Sequence, residues 1–542
     1  MRKLLLTERA RRVSPGFWIA LLFLLCGLMF LRKAGIHFDA SFELASFYRC
    51  CTPAFRPVLF GHRLPVMILP YLGAFKAWLY YPLLQSLDVT PVVLRLPVLL
   101  VGTVSVWLFF TILDRTVGRR AAIAGALLLA TDASFVIATT YDFGPIAFLH
   151  CFLLAGALLL LQFERTGASK YLALAFFVFG LALWHKALFI WMLDGLVVAA
   201  VCVFPRRVAA MLTPRRVVVA ALSLCAGALP LIYFNVVTGG ATLHTGEVMS
   251  GEAPISQKLL VLKKTMSGNV LFAWLTDETQ PATAAPPRKF REVASVKLSR
   301  LVGGVRSNWL FYAFVVSCCL VPWLWFTRSR RAALFVLIYL MVTWAQMLIL
   351  PNTGASIQHV LLLWPFPHFL IAIALAQVGA SLGRHGAQAA ACALVAIVAA
   401  NLLLINQHYS DLVTNGTSAI WTDAIYPLHN YLDSVSASRI VTTDWGYATT
   451  LCLLSDGEIP LDDISYTLLG PSVGDSAWIR SLIEDERNVF VDHTAPDEQF
   501  PAARQRLESI AALSGRTRVL VAVIRDRNQR PRFEVVRYQP GR

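Results

Sequence analysis

Two acids stand four residues apart in His37-Phe38-Asp39-Ala40-Ser41-Phe42-Glu43, and on a helix that spacing sets both carboxylates on one face. One carboxylate so placed can take a proton from a hydroxyl while the other holds polar groups of a substrate. The same acids can also be solvated residues on a first helical turn, where the macrodipole favours them. The stretch that follows carries Arg56, His62, Arg63 and Lys76, cations that with the acids would wall a polar cavity. Two further polar pairs, Tyr141-Asp142 and His185-Lys186, fill very short breaks between apolar runs. Each has a plainer reading as well. Asp142 can cap the helix that starts near Pro145, Lys186 can snorkel to a membrane surface, and His359 can be an interfacial histidine.

The elements that must position these residues are membrane helices. Of the 542 residues, 57% are hydrophobic and only 15% charged, against about a quarter charged in ordinary soluble domains. Runs long enough to cross a bilayer lie near 14–31, 92–113, 121–138, 145–163, 171–184, 187–204, 217–237, 309–326, 332–350, 359–378 and 387–404, about eleven spans. The formal charge of +16 would suggest nucleic acid if it formed one soluble patch, but the basic residues cluster in short loops between the runs. Those loops are every second connection, which predicts a cytoplasmic amino terminus. Arg2, Lys3, Arg9, Arg11 and Arg12 then precede an uncleaved first anchor.

The opposite face receives the candidate chemistry: loop 34–91, the turn at Asp142, His185-Lys186, loop 238–306 and everything after residue 406. Segment 64–84 is apolar but interrupted by Pro65, Pro70, Gly73, Lys76 and Pro82, which predicts interfacial helices rather than a twelfth span. Loop 238–306 is rich in Gly, Thr, Ala and Pro and reads as either a disordered segment or a lid. The chain thus divides into a membrane domain, 1–406, and an outer α/β domain, 407–542, with strands near 440–443, 489–491, 519–524 and 533–536. Helices are expected at 425–435, 476–483 and 501–513. Asp444 and Asp492 follow predicted strands and read as solvated strand-end acids, although ligands often bind at such ends. Of ten cysteines, Cys50, Cys51 and Cys452 fall outside the spans; a disulfide among them is allowed but not required. No metal-ligand spacing occurs.

Leu69-Pro70-Tyr71-Leu72-Gly73-Ala74-Phe75-Lys76 after the Asp39 loop, then Ala130-Thr131-Asp132-Ala133-Ser134-Phe135, Tyr141-Asp142-Phe143-Gly144-Pro145 and Leu183-Trp184-His185-Lys186 form an ordered set. With 359–367 and 421–446, this set resembles the bacterial relatives of protein O-mannosyltransferases and of the lipid A aminoarabinose transferase. The resemblance implies a GT-C type glycosyltransferase that uses a polyprenyl-phosphate-linked sugar on the extracytoplasmic face of the cell (inner) membrane. Asp39 then matches the first-loop acid, Asp142 the second acid, and Lys76 and Lys186 the lysines that contact the lipid phosphate. Arg63, His62 and His185 are further phosphate-binding candidates, and Glu43 and His359 candidates for sugar or acceptor. Ala40 after Asp39, and Phe75 before Lys76, depart from the family pattern and leave acceptor choice and a divalent-cation requirement open; no cofactor is expected.

In such a transfer Asp39 serves as general base toward the acceptor hydroxyl. Lys76 and Lys186 stabilise a phosphate leaving group that needs no proton. The acceptor is a lipid, a glycan or a protein, and no nucleic acid is involved. A ligase moving a whole lipid-linked glycan, or a transporter or flippase of lipid-linked sugars, would use similar charges, but a transporter calls for inverted repeats, which are not seen. A scaffold presenting the outer domain is a further reading, under which Asp39→Asn is silent.

Overall fold

The computed structural model describes residues 14–59, 61–244, 253–278, 287, 289–351, 353–470 and 475–541. The basic amino terminus and most of the Ala/Pro run at 281–287 lie outside the described residues. Every apolar run becomes a helix or a bent helix pair. Pro91–Thr116, Ile146–Thr166, Arg330–Ile349 and Gly383–Thr414 are each long and apolar enough to cross a membrane, and four bent pairs raise that number to eight. Pro15–Leu28, Ser169–His185 and Leu310–Cys319 are shorter apolar helices. The chain is a polytopic, membrane-integral helical protein.

The bends have local causes. Between Arg119–Ala130 and Ala133–Thr140 the axis turns by 57°. Asp132 starts the second piece by accepting the Phe135 amide at 3.1 Å. Its other oxygen accepts from Trp364 Nε1 at 2.7 Å and is 2.9 Å from His368 Nε2. Those two residues flank the second bend, between Ile357–Leu363 and Phe366–Ser381. One buried carboxylate thus ties two broken helices together at the level where they break. Pro205 turns the chain by 108° after Phe189–Val203.

Loop 34–91 differs from the expected interfacial helices. It contains Phe38–Leu44, two small hairpins, β1 (Val58–Leu59) with β2 (His62–Arg63) and β3 (Met67–Leu69) with β4 (Leu72–Gly73), and only then the ten-residue helix Phe75–Leu84. Of the residues read as helix breaks, Pro65 lies between the two hairpins, Pro70 in the turn of the second and Gly73 in β4. In loop 238–306 the described parts are helical, Ile255–Met266, Phe272–Leu275 and Phe290–Leu301. They are anchored: Lys33 pairs with Glu292 at 2.7 Å, and Asp277 pairs with Arg532 at 2.9 Å.

The last membrane helix runs on to Thr414. Beyond it β5 (Ile440–Thr442), β6 (Leu461–Asp463), β7 (Val489–His493), β8 (Arg516–Arg525) and β9 (Pro531–Pro540) form one sheet in the order β6-β5-β7-β9-β8. The first three strands are parallel and the last two antiparallel. Helices Ile425–Ser434, Asp475–Glu484 and Pro501–Leu513 stand within a residue or two of expectation, because their amphipathic spacing is plain. Strand β6 and helix Ala448–Leu454, both short, were not foreseen. A disulfide, Cys50–Cys452, ties loop 34–91 to this sheet layer across 402 residues of sequence, with Cα atoms 5.9 Å apart.

Candidate functional site

The site is built around one strained turn. After Ala133–Thr140 the chain reverses through Asp142 (φ +52°), Gly144 (φ +68°) and Pro145 (φ +22°) before Ile146–Thr166 begins. A non-glycine residue in the left-handed region is costly and persists where its surroundings over-determine it. Here they do: Asp142 forms a fully buried ion pair with Lys76. A Cβ on Gly144 would lie 2.2 Å from Gln358 Cβ, so only glycine fits.

Gly144 joins two of the predicted residues. Its N–H donates to Asp39 Oδ2 at 3.2 Å, and its carbonyl accepts from Lys186 Nζ at 2.8 Å. Asp39 sits in the first turn of Phe38–Leu44, capped by His37, whose Nδ1 accepts the Asp39 amide at 3.1 Å. Arg95 steadies the approach to that helix by donating to the carbonyls of Leu31 at 2.8 Å, Ala34 at 3.0 Å and Gly35. Lys186 is held by its backbone. Leu72 bridges to it and the Ala187 amide donates to Tyr71 O at 2.8 Å, while Gly73 packs so close to Trp184 that a Cβ would lie 2.0 Å from its carbonyl oxygen.

Glu43 and Lys76 complete the cluster. Glu43 is fully buried and neither carboxylate oxygen has a hydrogen-bond partner among the described residues. Burial pushes its carboxyl up to about 8 against the pull of Lys76 and Lys186, and Asp142 and Asp39 push the same way. Burial alone would lower the Lys76 ammonium, but Asp142 and Glu43 outweigh it and hold it above its ordinary value. Lys186 is lowered by burial in spite of Asp39, Glu43 and Asp142. The cluster thus gathers the carboxyls of Asp39, Glu43 and Asp142 with the amines of Lys76 and Lys186.

Other predicted residues lie elsewhere. His62 and Arg63 are exposed on β2. His185 is buried among Phe75, Phe148 and Phe152, and its Nε2 is 3.2 Å from the Pro145 carbonyl, so its polar edge serves the turn rather than a ligand. His359 is buried, bonds Ser356 at 3.2 Å and lies close enough to Lys186 to feel its charge. Asp444 and Asp492 are not solvated: both are buried, paired with His493 at 2.7 Å and Arg504 at 3.1 Å. Arg95 and His37 were missed. A lone arginine in an apolar run was the available signal for the first; nothing local marked the second. Among the described residues no three His, Cys, Asp or Glu side chains are grouped to hold a metal ion.

The comparisons fit this geometry. Residues 70–233 match the family model described as dolichyl-phosphate-mannose-protein mannosyltransferase, a span that contains Lys76, Asp142 and Lys186. The fold is that of ArnT from Cupriavidus metallidurans in the apo state, with a TM-score of 0.57 at 12% identity over 96% of this chain and 97% of that one. The chain is thus similar to a mannosyltransferase family over residues 70–233 and to ArnT in fold. The same ArnT bound to undecaprenyl phosphate matches with a TM-score of 0.54 at 13% identity, over 96% and 97% of the two chains. A search of the curated proteins finds no match.

Proposed function

We propose that the enzyme moves a sugar from a polyprenyl-phosphate donor to an acceptor hydroxyl on the extracytoplasmic face, by way of some eleven spans with the amino terminus inside. The observation that carries this reading is the buried cluster around Gly144. A base and a cation are fastened to the N–H and the carbonyl of one residue, Gly144, so their separation is set by the turn before substrate arrives. Asp39 gives one oxygen to the Gly144 amide and keeps the other for the acceptor proton. Lys186 gives one of its three protons to the Gly144 carbonyl, and two remain for the departing phosphate. Lys76 acts chiefly on Asp142, holding the strained turn, and contributes to the phosphate through the field.

A lipid tail stays in the bilayer while its phosphate reaches the surface, which suits a site made where loops meet helices. Water exclusion there strengthens every charge contact. The Cys50–Cys452 disulfide supports the outer placement, because such bonds persist in oxidising compartments. The test is release of polyprenyl phosphate from labelled polyprenyl-phosphate monosaccharides by purified protein in lipid. Wild type should turn over at least one donor, and Asp39→Asn, equally well folded, should not. Equal turnover in both would remove Asp39 as the base.

A further inference from the structure

The sheet of the carboxy-terminal layer has a feature that the transfer chemistry does not use. In the order β6-β5-β7 the chain leaves β5 to one side and returns on the other, so the carboxyl ends of β5 and β7 flank a topological switch point, where α/β sheets bind ligands. Each of the three parallel strands is followed at that end by an aromatic residue: Trp445 after β5, Tyr466 after β6 and Phe500 after β7. The Tyr466 and Phe500 rings are 5.6 Å apart, and Trp445 lies beside the Tyr466 hydroxyl.

The row continues across to the catalytic helix. Trp445 lies 5.0 Å from Phe38, which stacks on Phe42 at 4.8 Å, and Phe38 immediately precedes Asp39. Ser41 of the same helix contacts Thr449 at 3.0 Å and Thr450 at 2.9 Å, which fixes the two layers in register. All five rings are partly or largely exposed, Tyr466 to 62%. Asp444 holds the row in shape: its carboxylate accepts the amides of Trp445 at 2.8 Å, Gln499 at 2.9 Å and Phe500 at 2.9 Å.

We propose that this row of rings is a carbohydrate-binding strip that seats a glycan acceptor with one ring beside Asp39. Sugar rings present C–H bonds on their faces and hydroxyls on their edges. The C–H face packs on the negative face of an aromatic ring, while the edge stays free for polar partners. Successive rings spaced about one sugar apart suit a chain of sugars. The strip leads from the Asp39 helix onto the sheet layer, so its occupant is water-soluble and is the acceptor rather than the lipid-borne donor. This inference rests on the transferase reading for its purpose, though not for its binding.

The test is saturation-transfer NMR on the full-length protein in lipid nanodiscs, with mannotriose, galactotriose, arabinotriose and a short Ser/Thr-rich peptide as probes. At least one trisaccharide should bind, and Trp445→Ala and Tyr466→Ala should each weaken it roughly 3- to 10-fold at unchanged melting temperature. If Trp445→Ala does not fold, the exposed Tyr466 decides. No trisaccharide binding, binding equal in both variants, or binding of the peptide alone at the strip overturns the proposal, the last by indicating a polypeptide acceptor. Saccharide binding without donor turnover in wild type would sink the transferase reading alone, and turnover without saccharide binding would sink the strip alone.

Discussion

Two clusters of buried charge occupy this protein, and they are built to opposite rules. In the sheet layer Arg532 is fully buried, and each of its nitrogens has a partner: Asp526 at 3.1 Å, Asp497 at 3.0 Å, Asp277 at 2.9 Å and the Thr417 carbonyl at 3.0 Å. At the membrane edge Glu43 is equally buried, yet its oxygens accept no hydrogen bond among the described residues. Lys186 spends itself on a single carbonyl. A buried polar group without partners costs about 1–3 kcal/mol, so the second arrangement is expensive where the first is settled. The first cluster has the character of a clamp, joining loop 238–306 to the sheet. The second has vacant bonding capacity beside a strained turn, as catalytic sites do.

The contrast breaks most sharply if the two clusters respond alike to substitution. Asp39→Asn should cost turnover about 10²- to 10⁴-fold, the usual worth of a general base, with the melting temperature preserved. Arg532→Met should do the reverse. It removes the cation that Asp497, Asp526 and Asp277 share, although Asp277 keeps Arg530 at 3.1 Å, and should cost about 3–5 kcal/mol of stability, read as a lowered melting temperature and early proteolysis of the sheet layer. Any remaining folded fraction should turn over normally. Should Arg532→Met lower activity while leaving stability intact, the division into clamp and site fails.

Within the site the two lysines sharpen the same comparison. Lys186→Met removes a charge-assisted contact worth about 1.5–3 kcal/mol, so donor KM or turnover should worsen about ten- to a hundredfold with little loss of fold. Lys76→Met leaves Asp142 unpaired in a left-handed turn and should lower the melting temperature as well. Equal effects of the two on donor release, with stability untouched in both, would place Lys76 on the phosphate rather than on the turn.

The helical character of the apolar runs was legible because a long apolar run has to satisfy its own backbone in a helix. Asp39 and Glu43 stood out by their spacing, while Lys76, Asp142 and Lys186 were singled out through the family resemblance; the fold brings all five together around Gly144 because short breaks in apolar runs fall at one depth. Hidden from sequence were the features that need distant partners. His62 and Arg63 were weaker phosphate-binding candidates in the same loop, and β2 holds both exposed, away from Gly144. Asp444 read as solvated because a strand end says nothing of the loop that folds over it. Cys50 and Cys452 are 402 residues apart, and only the fold brings them within bonding distance.

The smallest effect, and the most specific, concerns Glu43. Its carboxyl is pushed from 4.5 to about 8, first by burial, so it is neutral at pH 7 and becomes charged as pH passes 8. The new charge joins Asp39 and Asp142 against the donor phosphate. At an effective dielectric of 20, a unit charge about 10 Å away is worth about 1.7 kcal/mol, so donor KM should rise on the order of tenfold between pH 7 and 9. Stability should move too. An acid whose folded pKa is raised binds more protons folded than unfolded, so stability declines as pH rises from about 4.5 to about 8 and levels off above it. Glu43→Gln should flatten both curves while leaving turnover at pH 7 within a few-fold of wild type. If the variant keeps the alkaline rise in KM, another group carries that charge, and the empty bonding capacity around Glu43 is a packing cost with no part in binding the donor.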